Sequence, residues 1–180
     1  MKILITGGTG FIGSHLTRFL KNKHEITIYD VKKPIDEDVE FILGDITDDQ
    51  KILQSFQDFD IIIHLAAAVG VGITETDPIW TLNTNILGTK NILESCKKNN
   101  IKKVILASSS EVYGEPKKVP IDETQTPMPI TTYGISKLAC EEYLKSYAKT
   151  YGFNYSVLRF FNVVGPKQSS RFVMPEFVNN

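Results

Sequence analysis

Cysteine is scarce in this chain. Only Cys96 and Cys140 occur in 180 residues, each inside a helical pattern and without a partner at metal or redox spacing. That excludes a disulfide framework and a thiolate metal site, and both thiols are expected to be free and structural, in a reducing compartment. Net charge is nearly missing too: 20 Lys and Arg against 21 Asp and Glu leave −1, so no one-signed field favours nucleic acid or an anionic membrane. A small-molecule partner fits better. No apolar run approaches the roughly 20 residues of a membrane span. The first apolar run begins at Lys2, which leaves no room for a targeting peptide, so the expectation is a soluble cytoplasmic protein. Internal repeats, low-complexity tracts and interdomain linkers are also lacking. With 42% hydrophobic and 23% charged residues, the 180 positions suit one ordinary globular domain.

What is present is glycine, concentrated in Ile3 to Gly13, I-L-I-T-G-G-T-G-F-I-G. Lys2 to Thr6 predicts a buried strand, and the glycines then force a turn. Gly7, Gly10 and Gly13 recur at three-residue spacing, while Gly8, Gly10 and Gly13 satisfy G-x-G-x-x-G, so two forms of the dinucleotide fingerprint coincide. One glycine is needed for a conformation closed to side chains, one for approach of a pyrophosphate, and one for close helix packing. The helix expected from Phe11 to Asn22 would aim its free N–H groups at phosphates. A tight strand-to-helix connection also wants glycine, so context has to decide. The next strand, Glu25 to Asp30, ends in an acid 17 positions after Gly13, where a carboxylate holds an adenosine ribose 2′-OH. Asp30 therefore favours NAD, with Lys32 and Lys33 leaving NADP as the lesser alternative.

A loop from Val31 to Asp38 precedes a third strand, Val39 to Leu43, broken by Gly44. Asp45 and Ile46 follow a strand end and suit an adenine ring; alternatively, Asp45 or Thr47 caps the helix expected at about Asp48 to Phe56. Asp60 to His64 is apolar until its last residue, as a central parallel strand should be. It delivers Leu65, Ala66, Ala67 and Ala68, small enough for a nicotinamide ribose to lie against the backbone. His64 is expected to be a buried, hydrogen-bonded strand-end residue rather than a catalyst. A loop from Val69 to Asp77 leads to a long helix, Pro78 to Asn99. Asn85 lies within it on a packed face, where asparagine usually satisfies backbone groups; it is also counted with the cofactor-side residues.

The fifth strand, Lys103 to Ala107, ends in Ser108, Ser109, Ser110 and Glu111, at the edge where doubly wound sheets place active sites, although serines also serve plain turns. Glu115 to Pro129, with its prolines, makes a surface excursion. Thr131 and Thr132 offer cap hydroxyls for a helix to about Tyr151, with Leu138, Ala139, Leu144 and Ala148 facing inward. Its first turns carry Tyr133 and Lys137 at i, i+4, on one face, so the ammonium favours the phenolate and makes Tyr133 a base. A sixth strand, Tyr155 to Phe160, delivers Phe161 and Asn162 to the same edge, and Val173 to Val178 begins another helix. The expected fold is α/β, a doubly wound parallel sheet of six or more strands with helices on both faces.

T-G-G-T-G-F-I-G, Asp30, G-D-I at Gly44 to Ile46, H-L-A-A at His64 to Ala67, S-S-S-E-V-Y-G at Ser108 to Gly114, Y-G-I-S-K at Tyr133 to Lys137 and R-F-F-N at Arg159 to Asn162 stand in one order. In that order the chain resembles the extended short-chain dehydrogenase/reductase family, specifically its NAD-dependent sugar-nucleotide epimerase/dehydratase branch, over essentially its whole length. The resemblance implies a Rossmann fold with Phe11 and Ile12 at the pyrophosphate, Asp30 on the ribose, and Asp45 and Ile46 at adenine. Tyr133 is then the base and Lys137 holds the nicotinamide ribose while lowering the tyrosine pKa. Ser109 bonds the reacting hydroxyl with Ser110 beside it, Phe161 lines the nicotinamide site and Asn162 approaches the sugar-nucleotide diphosphate.

The implied chemistry is oxidation of a UDP- or dTDP-sugar hydroxyl, usually at C4, followed by re-reduction. A UDP-sugar 4-epimerase is the first expectation. A 4,6-dehydratase or UDP-glucuronate decarboxylase acting through Glu111 is the alternative, though Ser109-Ser110-Glu111 departs from the threonine-led set of those enzymes. Val164 stands where many relatives have tyrosine. Family members also continue well beyond 180 residues. Residues 1–180 are thus expected to be the NAD-binding domain, with the C-terminal substrate domain largely absent, which raises a third reading: a cofactor-binding module without independent turnover. Relatives also lead to an expected homodimer through the helices around Pro78 to Asn99 and Thr131 to Tyr151.

Overall fold

Among the described residues the apolar runs form six strands: β1 (Lys2–Thr6), β2 (Glu25–Asp30), β3 (Glu40–Leu43), β4 (Ile61–His64), β5 (Lys103–Ser109) and β6 (Asn154–Phe160). The computed structural model describes residues 1–34, 38–166 and 168. Every strand pairing is parallel, in the order β3-β2-β1-β4-β5-β6. The chain reverses direction across the sheet between β1 and β4, so the loops that follow these strands flank a crevice at their carboxyl ends. Parallel strands are covered on both faces, which is why β1 and β4 read as unbroken aliphatic stretches.

Alternation within β1 divides the core. Leu4 joins Ile62, Leu106, Ile52, Ile92, Leu93 and Leu144 on one face, whereas Ile3 and Ile5 join Ile26 and Ile63 on the other, packed by Leu16 and Leu20. The first face is covered by α2 (Asp49–Ser55), α5 (Gly88–Lys98) and α6 (Thr132–Tyr151), the second by α1 (Phe11–Leu20). The expected doubly wound architecture is therefore observed.

Three local differences matter for the site. The segment expected as a loop from Val69 to Asp77 contains a short helix, α3 (Val71–Thr76), and the long helix is built of α4 (Pro78–Leu82), a π-helical turn (Asn83–Leu87) and α5. Asp77 caps α4, its side chain accepting from the Trp80 N–H at 2.9 Å. β5 runs on through Ser109, so Ser108 and Ser109 are strand residues and the turn begins at Ser110. The inward face of α6 also differs from expectation. Leu144 and Ala148 are buried, but Leu138 and Ala139 are only partly so, and the remaining buried positions are Gly134, Ser136, Lys137, Cys140 and Glu141. The helix expected at Val173 to Val178 lies outside the described residues.

Candidate active site

The glycine turn separates the three roles assigned to it. Gly7 takes φ +71°, and a Cβ there would lie 2.6 Å from the Ala66 nitrogen, so the loops after β1 and β4 touch only because this residue lacks a side chain. A Cβ on Gly13 would lie 2.2 Å from the Gly7 carbonyl oxygen, which lets α1 start directly against the turn. Gly10 is exposed and precedes α1 without a side-chain cap, which leaves the first N–H groups of that helix without a competing acceptor from the cap residue. Phe11 and Ile12, half-buried, form that first turn. Asp30 is tied to the same turn: its Oδ2 accepts from the Thr9 N–H at 3.0 Å and its Oδ1 from the Lys32 N–H at 3.2 Å. A cradle open at Gly10, free helix-start donors and an oriented carboxylate together fit a dinucleotide diphosphate carrying a free ribose 2′-OH. Gly13→Ala is expected to cost about 1–3 kcal/mol of stability through overpacking, read by urea unfolding, and to weaken NAD binding by calorimetry.

Beyond Asp30, Tyr29 is fully buried and donates its hydroxyl to the Asp45 carbonyl at 2.9 Å, fixing the Gly44–Ile46 loop beside β2. Asp45 is exposed, and its Oδ1 accepts from both the backbone and the hydroxyl of Thr47 at 2.8 Å. The cap of α2 is Asp48, which accepts from the Lys51 N–H at 3.0 Å, so neither Asp45 nor Thr47 has that role. Ile46 is 6% exposed and packs on Gly88, so its side chain supports the loop from beneath and its backbone is what faces the adenine position expected there.

Leu65, Ala66 and Ala67 line the other side of the crevice, half-buried. Below them runs a buried chain of hydrogen bonds. The Asn85 carbonyl can only accept, so the Cys140 thiol donates to it at 3.2 Å, and the Thr89 hydroxyl then donates to the Cys140 sulfur at 3.2 Å. His64 Nε2 therefore carries the hydrogen and donates to Thr89 Oγ1 at 3.0 Å, while its Nδ1 accepts from the Thr6 hydroxyl at 2.7 Å. His64 is thus the buried structural histidine expected from the sequence. Burial, reinforced by the nearby Lys137 ammonium, pulls its pKa down to about 3.

Asn85 sits in the π-helical turn, and its side chain is spent inside: Oδ1 accepts from the Ala68 N–H at 2.7 Å, and Nδ2 donates to the Ala68 carbonyl at 3.3 Å and to Ser136 Oγ at 2.9 Å. At 1% exposure its side chain supports the crevice floor and α6. Both cysteines are buried and free; burial pushes the Cys96 thiol up to about 12.

The remaining candidates gather where β5 meets α6. Ser109 closes β5, half-buried, and its Oγ accepts from the Glu111 N–H at 3.2 Å, which turns the chain through Ser110 to Tyr113. Ser110 is half-buried in that turn. The Glu111 carboxylate accepts from the hydroxyl of Thr131 at 2.5 Å, and Thr131 Oγ1 in turn accepts from the Gly134 N–H at 2.9 Å, capping α6. Tyr133 and Lys137 follow on α6. Lys137 is buried; its Nζ donates to the Ala107 carbonyl at 2.9 Å and lies 5.7 Å from the Tyr133 ring centroid. Burial pulls the ammonium below its ordinary pKa. The expected lowering of the Tyr133 pKa by Lys137 does not show in the net direction of its shift. Burial, with the Glu111 carboxylate adding to it, pushes the phenol above its ordinary value.

Phe161 and Asn162 are exposed just past β6, at the same sheet edge. Among the described residues no group of acids, histidines or cysteines could hold a metal ion, and no helix is long and apolar enough to cross a membrane.

One residue, Glu141, is not picked out by the sequence patterns. Glu141 is fully buried and accepts from Ser108 Oγ at 2.6 Å and, in bidentate fashion, from Arg159 at 2.9 and 2.7 Å. The signal was there, since Glu141 stands at i+4 from Lys137 and so shares its face. The apolar spacing of α6 alone does not announce it.

A UDP-glucose 4-epimerase from Halalkalibacterium halodurans is 36% identical over 178 residues, covering 95% of this chain and 53% of that protein. Among solved structures, a UDP-glucose 4-epimerase from Thermus thermophilus in complex with NAD superposes with a TM-score of 0.88 at 34% identity, covering 94% of this chain and 58% of its own. A dTDP-glucose 4,6-dehydratase double mutant from Streptomyces venezuelae, with NAD bound, gives 0.93 at 28% identity, covering 100% and 62%. The chain thus spans a little over half the length of these relatives. Residues 3–180 match the model of the NAD dependent epimerase/dehydratase family. With the fingerprint turn, the strand order and this match in agreement, the chain belongs to the NAD-dependent epimerase/dehydratase family.

Proposed function

We propose that this chain is the NAD-binding, hydride-transfer half of a sugar-nucleotide enzyme, and that its reaction is 4-epimerisation of a UDP-sugar through a transient 4-keto intermediate. The observation that carries the reading is that Lys137, 5.7 Å from the Tyr133 ring centroid, bonds the Ala107 carbonyl two residues before Ser109 at the carboxyl end of β5, on the sheet edge that also carries the glycine turn. Bound NAD⁺ supplies the hydride acceptor at the sugar carbon. The residues do the rest. Gly7, Gly10, Phe11, Ile12 and Gly13 hold the pyrophosphate, Asp30 the adenosine ribose, Leu65 to Ala67 and Phe161 the nicotinamide side, and Asp45 the adenine edge. Ser109 orients the C4 hydroxyl, Tyr133 takes its proton, and Lys137 holds the nicotinamide ribose. Re-reduction from the opposite face needs the proton back, and the phenol that received it from the C4 hydroxyl returns it as a general acid. Ser110 and Asn162 complete the sugar-nucleotide side.

Glu111 supports epimerisation over dehydration or decarboxylation. Its carboxylate is engaged by the Thr131 hydroxyl at the start of α6, which gives it an anchoring role instead of a free approach to a keto sugar. Product NMR after incubation with UDP-glucose and UDP-glucuronate tests this. The expected product is the C4 epimer; a 4-keto-6-deoxy sugar or a UDP-pentose would transfer the assignment to Glu111-dependent chemistry. Calorimetric titration with NAD, then with UDP- and dTDP-sugars, tests the other class. NAD binding without sugar-nucleotide binding makes the 180-residue chain a cofactor module.

A further inference from the structure

We propose that Glu141 is a positioning residue for the reaction, a buried carboxylate that holds the strand ends and the helix of the candidate catalytic set in register. It rests on the assignment of Ser109, Tyr133 and Lys137 given above. Glu141 is fully buried on α6, one turn beyond Lys137. Its Oε1 accepts from Ser108 Oγ at 2.6 Å and from Arg159 Nε at 2.9 Å, and its Oε2 from Arg159 Nη2 at 2.7 Å, with Lys145 Nζ at 3.7 Å.

Each partner adjoins a candidate group. Ser108 lies between Ala107, whose carbonyl receives Lys137 Nζ, and Ser109. Arg159 is paired with Ser108 in the β5–β6 register and is followed after Phe160 by Phe161 and Asn162. Its guanidinium also lies 4.7 Å from the ring centroid of Tyr113, which closes the turn bearing Ser110 and Glu111. One carboxylate thus joins α6, β5, β6 and that turn.

Burial works against the charge on Glu141, yet the bonds from Arg159 and Ser108 outweigh it and keep the carboxyl below its usual range. Replacing a buried pair with apolar residues of similar volume is often neutral or stabilising, so such an ion pair is weak evidence of a purely stabilising role. What it supplies is direction: the planar guanidinium fork admits few orientations of β6 and α6 around Ser108.

The test pairs Glu141→Met with Arg159→Leu in the full chain. The double variant is expected to melt within a few degrees of the parent and to keep NAD affinity within about threefold, because the glycine turn and Asp30 lie outside the network. Hydrogen exchange in the 108–114 segment is expected to become at least tenfold faster, with the 2–30 segment unchanged. Turnover of the sugar nucleotide is expected to fall roughly 100-fold in kcat with KM little altered, the scale of an ångström of misplacement.

Unchanged exchange at 108–114 and unchanged kcat in the folded variant would overturn the proposal. So would acceleration of all segments together with a lower melting temperature, the signature of a merely structural pair. If the double variant does not fold, Glu141→Gln, which keeps shape and loses charge, must give the same local exchange difference, and its failure to do so counts equally against it. If the parent itself turns over no sugar nucleotide, the function proposed above fails, while the exchange and NAD measurements still decide this one.

Discussion

Replacing Tyr133 by phenylalanine is expected to lower sugar-nucleotide turnover by about a thousandfold, within the range general acid–base groups contribute. NAD affinity is expected to stay within about tenfold, since the substitution removes no more than one hydrogen bond to the cofactor. The separation follows from where the residue sits. Tyr133 is the second residue of α6, which Thr131 caps and Gly134 allows to pack against the 110–113 turn: a Cβ on Gly134 would lie 2.6 Å from the Glu111 carbonyl oxygen. The ring is thereby held by the helix start and not by its hydroxyl, so phenylalanine keeps the local packing. Calorimetry with NAD and an NMR assay for the C4 epimer measure the two quantities independently. Full turnover in the variant would remove Tyr133 from the proton transfer. A parallel collapse of NAD affinity would instead show that the ring is chiefly a cofactor contact.

Acidification is expected to destabilise the fold through His64. The folded chain holds this imidazole neutral, with a pKa of about 3, whereas an unfolded histidine takes a proton near 6.5. Below pH 6.5 the unfolded state therefore binds more protons than the folded one, and stability falls with pH. The contribution is fully retained above 6.5 and declines progressively toward 3, amounting to about 2 kcal/mol at pH 5. Urea unfolding at a series of pH values checks it against His64→Gln, which removes the titration. The variant loses the bonds to Thr6 and Thr89 at every pH, so it is less stable at pH 7. The gap between the two proteins should close by about that 2 kcal/mol on going to pH 5. Curves that stay parallel would show that His64 does not titrate in this range. Carboxylates such as Glu141, held below their usual pKa, add acid sensitivity in both proteins and cancel in the difference.

Much of the cofactor side was legible before any coordinates. The strand–turn–helix from Lys2 to Leu20, the acid ending β2 and the aliphatic run of β4 depend on short-range periodicity and on glycine's freedom from Cβ, both local properties. The need for glycine at a positive φ and at a close helix contact was legible as well, because each concerns backbone within a few residues or one crossing loop. The order of the site groups along the sheet edge was legible too, since parallel strands deliver their carboxyl ends to one side.

Other features followed from packing across the sequence. Ile46 and Asn85 lie in segments correctly expected near the crevice, yet both turn inward, Ile46 onto Gly88 and Asn85 onto Ala68 and Ser136. The polar inner face of α6 contradicts a reading by apolar spacing, because Lys137 and Glu141 find partners on β5 and β6 that no local pattern announces. Tyr133 and Lys137 stand at i, i+4 as their spacing requires, but the sign of the tyrosine's pKa shift depends on how much water the surrounding elements exclude. By itself the sequence determined the sheet, its crevice and which candidate groups the strands deliver there, because periodicity, turn chemistry and covalent order are written locally. Only the tertiary structure decided which of those groups are buried, paired and oriented, because desolvation and hydrogen bonding come from residues tens of positions away that folding brings within a few ångströms.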